Sequence, residues 1–197
     1  TTIAVDMAAG RGILVVTAAG NNGPAPRSIW TPADADSALA VGAEDSLGNL
    51  ANFSSRGPTA DGRVKPDFTA PGVLVCVVTG RDTVRRQSGT SFATPLLAAG
   101  ATLLKQVRPA LTPMDVRTAL RGSASNRAAP DTFSGWGRPD FAAAAGVSDT
   151  VTPIAPLTSP LTSITPTFTW TASLVNPATF RLRIARDSSF AAPNSSM

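Results

Sequence analysis

Ser91, in the stretch SGTSFATP at residues 88 to 95, sits among small residues just ahead of a proline and a long apolar run. A serine hydroxyl attacks a carbonyl only when a neighbouring base takes its proton, and histidine is the usual base. The chain of 197 residues contains no histidine. A nucleophilic Ser91 would therefore need a base from outside these residues. A second stretch suits the same chemistry: in VVTAAGNNGP, residues 15 to 24, a buried run ends in a Gly-Asn-Asn-Gly turn. At the carboxyl end of a parallel strand, that turn lies on the edge where α/β sheets hold their sites. The side-chain amide of Asn21 would stand there. Both residues also have plainer readings, Ser91 as the cap of a helix and Asn21, like Asn22, as a turn residue tolerant of left-handed backbone.

Several elements must position these groups. Residues 3 to 8, IAVDMA, carry apolar positions at helical spacing and then meet Gly10 and Gly12, which suits the end of a helix. The runs Ile13 to Ala18, Leu39 to Ala43 and Val73 to Val78 are short and rich in β-branched residues, as strands buried on both faces of a parallel sheet are. Cys76, the single cysteine, lies in the last of these and is expected as a buried thiol. From Pro95 to Gln106 the chain reads PLLAAGATLLKQ, apolar nearly all round, which predicts a helix buried in mid-domain with Pro95 in its first turn. Ser91 then falls at or just before that helix start, where free N–H groups and the helix dipole favour an oxyanion. LTPMDVRTALRG predicts a further helix, with Thr112 as cap, Pro113 at its first position, Asp115 completing a capping box, Leu111 stapled onto Val116 and a stop at Gly122.

Four blocks, AAGNNG, SALAVGAEDSLGNLANFSSRGP, KPDFTAPG and SGTSFATPLLAAG, occur in an order and at spacings similar to those of the subtilisin-like serine proteases, the subtilases. The resemblance covers residues 1 to about 146. It implies the carboxyl-terminal half of a catalytic domain of three-layer α/β fold, a parallel sheet with helices on both faces. It further implies Ser91 as nucleophile and Asn21 as donor to the tetrahedral oxyanion, joined by the Ser91 backbone N–H. Gly20, Trp30, Gly89 and Thr90 are placed at the substrate site. Gly89 reads as a tight turn or a close approach to substrate, and Trp30 either shortens the pocket for the side chain preceding the cleaved bond or packs against its loop. Pro32 aligns with a proline that often follows a cis peptide bond in the family. The family's triad runs Asp, His, Ser along the chain, so its acid and base are expected upstream of residue 1.

Other chemistries fit less well. An α/β-hydrolase would show Gly-x-Ser-x-Gly with a histidine downstream, whereas this chain reads Gly89-Thr90-Ser91-Phe92-Ala93. A Ser-Lys dyad has two candidate lysines, and Lys105 lies too far along the helix from Ser91, leaving Lys65. Asp67, in KPDFTAPG, reads as a turn residue or the nearest substitute for a triad acid. Ser54, Ser55 and Arg56 read as a turn beneath the site. Without histidine and with one cysteine the chain lacks the means for a transition-metal site, and no cofactor is required; the resemblance leaves calcium possible, but no ligand loop for it is legible.

A net charge of +4 with scattered basic residues gives no footprint for nucleic acid, and no run of 18 apolar residues predicts a membrane span. At about residue 147 the composition turns rich in Pro, Thr and Ser, a linker to about 165. The alternating TFTWT and TFRLRIA beyond it predict strands of a truncated β-sandwich over 166–197, immunoglobulin-like or fibronectin-III-like. The leading expectation is a fragment of a secreted or cell-surface serine endopeptidase acting on protein or peptide, inactive until joined to the missing amino-terminal half of its domain. Its rival is an inactive subtilase scaffold retained for binding a surface or polysaccharide. One half of a split assembly is a third reading.

Overall fold

The computed structural model describes residues 1–79 and 83–146 throughout, and beyond them the strand segments 150–155, 169–173, 183–184 and 195–196. The chain divides into two units, Thr1–Gly146 and Val147–Met197. In the first, three short strands form a parallel sheet in sequence order: β1 (Val16–Ala18), β2 (Leu39–Glu44) and β3 (Phe68–Pro71). Val16 pairs with Leu39, and Val41 with Phe68. Every residue of β2 is buried, which explains its unbroken apolar run: a central parallel strand has no solvent face.

The third sheet strand is FTAP, and the expectation for Val73 to Val78 is corrected. That run supplies β4 (Val75–Val78), which pairs antiparallel with β5 (Val84–Gln87) in a separate hairpin. Its burial alternates along β4, and Cys76 is exposed rather than buried. A short apolar run looks alike in both settings, and only pairing distinguishes a hairpin from a core strand. FTAP escapes notice because it contains a proline and two small side chains, yet Phe68 is completely buried. Pro71 stands at the strand's end, where its missing N–H breaks little of the ladder.

Helix α1 (Thr2–Ala9) ends at Gly10 as its spacing predicts. Helix α2 (Thr90–Val107) lies across all three sheet strands and buries Ala93, Leu97, Gly100, Ala101 and Leu104. It begins five residues before Pro95, which therefore sits inside the helix and not in its first turn. The proline nitrogen has no hydrogen to give the carbonyl four residues back, that of Ser91, so the turn carrying Ser91 lacks one ladder bond. Nor is α2 buried all round: Leu96, Leu103 and Val107 are exposed. Helix α3 (Pro113–Ser123) has the full capping box, with the Thr112 hydroxyl accepting from the Asp115 N–H and the Asp115 carboxylate accepting from the Thr112 N–H. It runs one residue past Gly122. Helix α4 (Phe141–Ala145) starts on the Asp140 side chain and stops at Gly146.

The core of this unit gathers Leu39, Val41 and Phe68 from the sheet, Leu97 and Leu104 from α2, and Val116 and Leu120 from α3. In the second unit, β6 (Thr150–Ala155) pairs antiparallel with β7 (Thr169–Ser173), and β8 (Arg183–Ile184) with β9 (Ser195–Ser196). Most of the expected linker and much of TFRLRIA fall outside the described residues.

Candidate active site

Because the three sheet strands are parallel, their carboxyl ends share one edge, and the chain returns to that edge twice. Asn21 follows β1 by three residues. Gly72 follows β3, and its carbonyl accepts a 2.8 Å hydrogen bond from the Gly89 N–H, which draws the start of α2 to the same edge. Asn21 and Thr90, 69 residues apart, meet there. The Oδ1 atom of Asn21 accepts from the Thr90 N–H at 2.9 Å and from the Thr90 hydroxyl at 3.0 Å.

That contact orients the carboxamide. A backbone N–H can only donate, so the atom facing it must be the side-chain oxygen, and the NH₂ group is left free to donate elsewhere. A Cβ on residue 89 would lie 3.5 Å from Asn21 Nδ2, so the amide stands directly over Gly89, two residues from Ser91. A Cβ at 89 would meet only ordinary contacts, but the backbone there has φ +159° and ψ 153°, a conformation glycine adopts and other residues rarely do. Gly89 offers α2 no side-chain cap, and the Asn21 oxygen takes that part across the fold. Ser91 is the second residue of α2 and not its cap. Its side chain is exposed, and its backbone N–H, one of the free donors of a helix start, has no acceptor among the described residues.

Neighbouring residues hold the loop in place. Gly20 is buried with φ +111°, and a Cβ there would lie 2.8 Å from Ser55 Oγ, closer than real Cβ atoms come, and a tight 3.1 Å from the Cγ of Trp30. The Gly20 N–H reaches the Thr90 hydroxyl at 3.3 Å, and the Asn22 N–H donates to Ser55 Oγ at 3.1 Å. Thr90 is thus fully buried and engaged with the loop. Trp30 packs beside Gly20, bonds through its N–H to the Ala19 carbonyl and leaves its side chain largely exposed, and the Thr31–Pro32 bond is cis. Ser54 and Ser55 are fully buried, and Ser54 Oγ accepts from the Ala43 N–H on β2. The positioning hydroxyls of Thr90 and Ser55 carry no signal in spacing alone, since their partners lie 69 and 33 residues away.

Lys65 and Asp67 belong to the other edge. Lys65 Nζ donates to the Ala38 carbonyl at 2.7 Å and to Asp67 Oδ2 at 2.6 Å, and the Ala40 N–H donates to that same oxygen at 3.0 Å. Residues 38 and 40 enter β2 at its amino end, and six strand residues put the two edges roughly 15 Å apart. Lys65 is therefore no partner for Ser91. Asp67, read in sequence as a turn residue or substitute acid, is the fully buried centre of an ion cluster with Lys65 and Arg121. Among the described residues no group of His, Cys, Asp and Glu could hold a metal ion. A cavity of ≈ 600 Å³ beside Glu44 and Arg138 includes none of the candidate residues.

A serine in the first turn of α2 and an asparagine just after β1 thus share the carboxyl edge of a parallel sheet. The sequence matches the Subtilase family over residues 1–137, and the chain belongs to that family. It is 37% identical over 139 residues to Serine protease AprX of Bacillus subtilis (strain 168), a match covering 60% of this chain and 31% of that protein. It is 40% identical over 123 residues to Subtilisin BL of Lederbergia lenta, covering 62% of this chain and 43% of that one. Among solved structures, the S41 Psychrophilic Protease superposes with a TM-score of 0.64 at 32% identity, covering 71% of this chain and 52% of that one. The Patellamide maturation protease PatA does so at 0.61 and 33%, covering 75% and 57%. The chain spans less than half the length of both of these curated relatives.

Proposed function

We propose that this chain supplies the nucleophile and the oxyanion donors of a serine endopeptidase, and that a histidine and an aspartate from polypeptide outside these residues complete the triad. Membership of the subtilase family supports the reaction class. The observation that carries the assignment is the bond from the Thr90 N–H to Asn21 Oδ1, because it turns the Asn21 amide toward the start of α2. In the reaction the histidine takes the proton of the Ser91 hydroxyl as the Oγ–carbon bond forms, and the carbonyl electron pair moves onto oxygen. The Asn21 amide and the Ser91 N–H donate to that oxyanion, the protonated histidine passes its proton to the leaving amine, and water repeats the sequence on the acyl-enzyme. Protein or peptide is the substrate, outside the cell or at its surface, and residues 166–197 begin an immunoglobulin-like or fibronectin-III-like module.

The test uses the chain joined to the histidine-bearing part of its domain, assayed on a peptide substrate. Ser91→Ala abolishes hydrolysis. Asn21→Ala lowers kcat by about 10²–10³ with little change in KM, the loss known for subtilisin's own oxyanion asparagine. Unchanged turnover in Ser91→Ala overturns the assignment.

A further inference from the structure

Asn21 stands in an exposed loop, where a side chain is fixed only as well as its backbone is. Both peptide groups that flank it are held by one residue, Ser55. The Ser55 N–H donates to the Gly20 carbonyl at 2.9 Å, and Ser55 Oγ accepts from the Asn22 N–H at 3.1 Å. One bond takes the carbonyl before Asn21 and the other the N–H after it, so together they set the direction in which the Asn21 side chain leaves the chain. Ser55 is brought there because residues 53 to 57 run alongside the loop. The Gly23 N–H donates to the Phe53 carbonyl at 2.8 Å, the Ser28 N–H to that of Arg56 at 2.8 Å, and the Arg27 N–H to that of Gly57 at 3.0 Å. Ser55 is completely buried, and its hydroxyl fills the space that a side chain on residue 20 would take. Ser54 is equally buried, but its Oγ accepts from the Ala43 N–H at 3.1 Å and serves β2 rather than the loop.

We propose that Ser55 is a positioning residue for the Asn21 amide, acting on catalysis through the backbone of the loop and without touching the substrate. The inference rests on the reading of Ser91 as nucleophile and Asn21 as oxyanion donor. Thr90 pins the Asn21 oxygen with two hydrogen bonds, but a side chain held at that atom alone can still swing about it. Ser55 fixes the opposite end, where the side chain joins the backbone, and the carboxamide is then set at both ends. A donor stabilises a developing oxyanion most when it is already aimed and needs no reorganisation as charge forms. Without the Ser55 hydroxyl the Asn22 N–H loses its protein acceptor, water takes that place, and the amide keeps its chemistry but loses its fixed aim.

The test is a double-mutant cycle in the chain joined to the histidine-bearing part of its domain, assayed on a peptide substrate with Ser91→Ala alongside. Ser55→Ala is expected to lower kcat roughly three- to tenfold, the scale of one lost hydrogen bond, with KM little changed. In an Asn21→Ala background the same substitution should lower kcat no further, because the amide it positions is gone. Ser54→Ala removes an equally buried hydroxyl and should lower the unfolding midpoint while leaving kcat unchanged. Amide hydrogen exchange of the unsubstituted protein gives a reading that needs no variant to fold: the Asn22 N–H, although its residue is exposed, should exchange far more slowly than an unprotected loop amide. With Ser91→Ala inactive and Asn21→Ala impaired, the proposal is overturned by an unchanged kcat in folded Ser55→Ala, by an equal loss in the Asn21→Ala background, by an equal fall of kcat in Ser54→Ala, or by Asn22 exchange at the free-peptide rate. Full turnover in Ser91→Ala overturns the peptidase reading and this inference with it.

Discussion

At the scale of single residues, Thr90 carries the geometry that Asn21 needs. Its N–H and hydroxyl both donate to Asn21 Oδ1, and its hydroxyl also accepts from the Gly20 N–H. Thr90→Val keeps the shape and the backbone bond but removes the hydroxyl, leaving the Gly20 N–H without its acceptor in a buried setting. In the completed enzyme we expect kcat to fall roughly five- to tenfold, the scale of one lost hydrogen bond, with KM little changed. Thr90→Ser, which restores the hydroxyl, should recover most of it. A purely structural role would lower the stability of Thr90→Val and leave kcat alone. Asn21 and Ser91 stood out as candidates because each type has few jobs at a strand end or helix start; the positioning bonds of Thr90 and Ser55 did not, because a buried hydroxyl is defined by partners distant in the chain.

Elements differ in how much of their definition is local. The α3 start is wholly local: a threonine, a proline and an aspartate within four residues satisfy the first turn and fix where the helix begins. Thr112→Ala should cost about 1 kcal/mol, read as a lower midpoint in thermal or denaturant unfolding with an unchanged denaturant slope. An unaltered midpoint would show that packing of Val116 and Leu120 holds the helix without its cap. The start of α2 is the opposite case. Its first N–H is capped by Asn21 from the loop after β1, so the sequence near Pro95 suggests a helix beginning five residues too late.

For the whole molecule, the uncovered apolar surface decides behaviour. One side of α2 buries Ala93, Leu97 and Leu104 on the sheet, while Leu96, Leu103 and Val107 stay exposed, and Ile3 and Met7 of α1 are exposed as well. Under the proposed division of the domain, other polypeptide covers these side chains. The chain alone should then self-associate and bind an apolar dye, and an amino-terminal partner segment should suppress both. A monomeric preparation with a cooperative melt and no dye binding would contradict this.

By themselves, the amino acids determined the α/β class of fold and the capping of α3 and marked Ser91 and Asn21 as candidates, because each rests on residue type and on patterns legible along the chain. Tertiary structure decided that FTAP and not VLVCVV is the third sheet strand, that Cys76 is exposed, and that Asp67 anchors an ion cluster. It also turned the Asn21 amide toward α2. Those outcomes depend on which distant segments pair, and pairing energy belongs to the assembled sheet and its packed helices, not to any window of the chain.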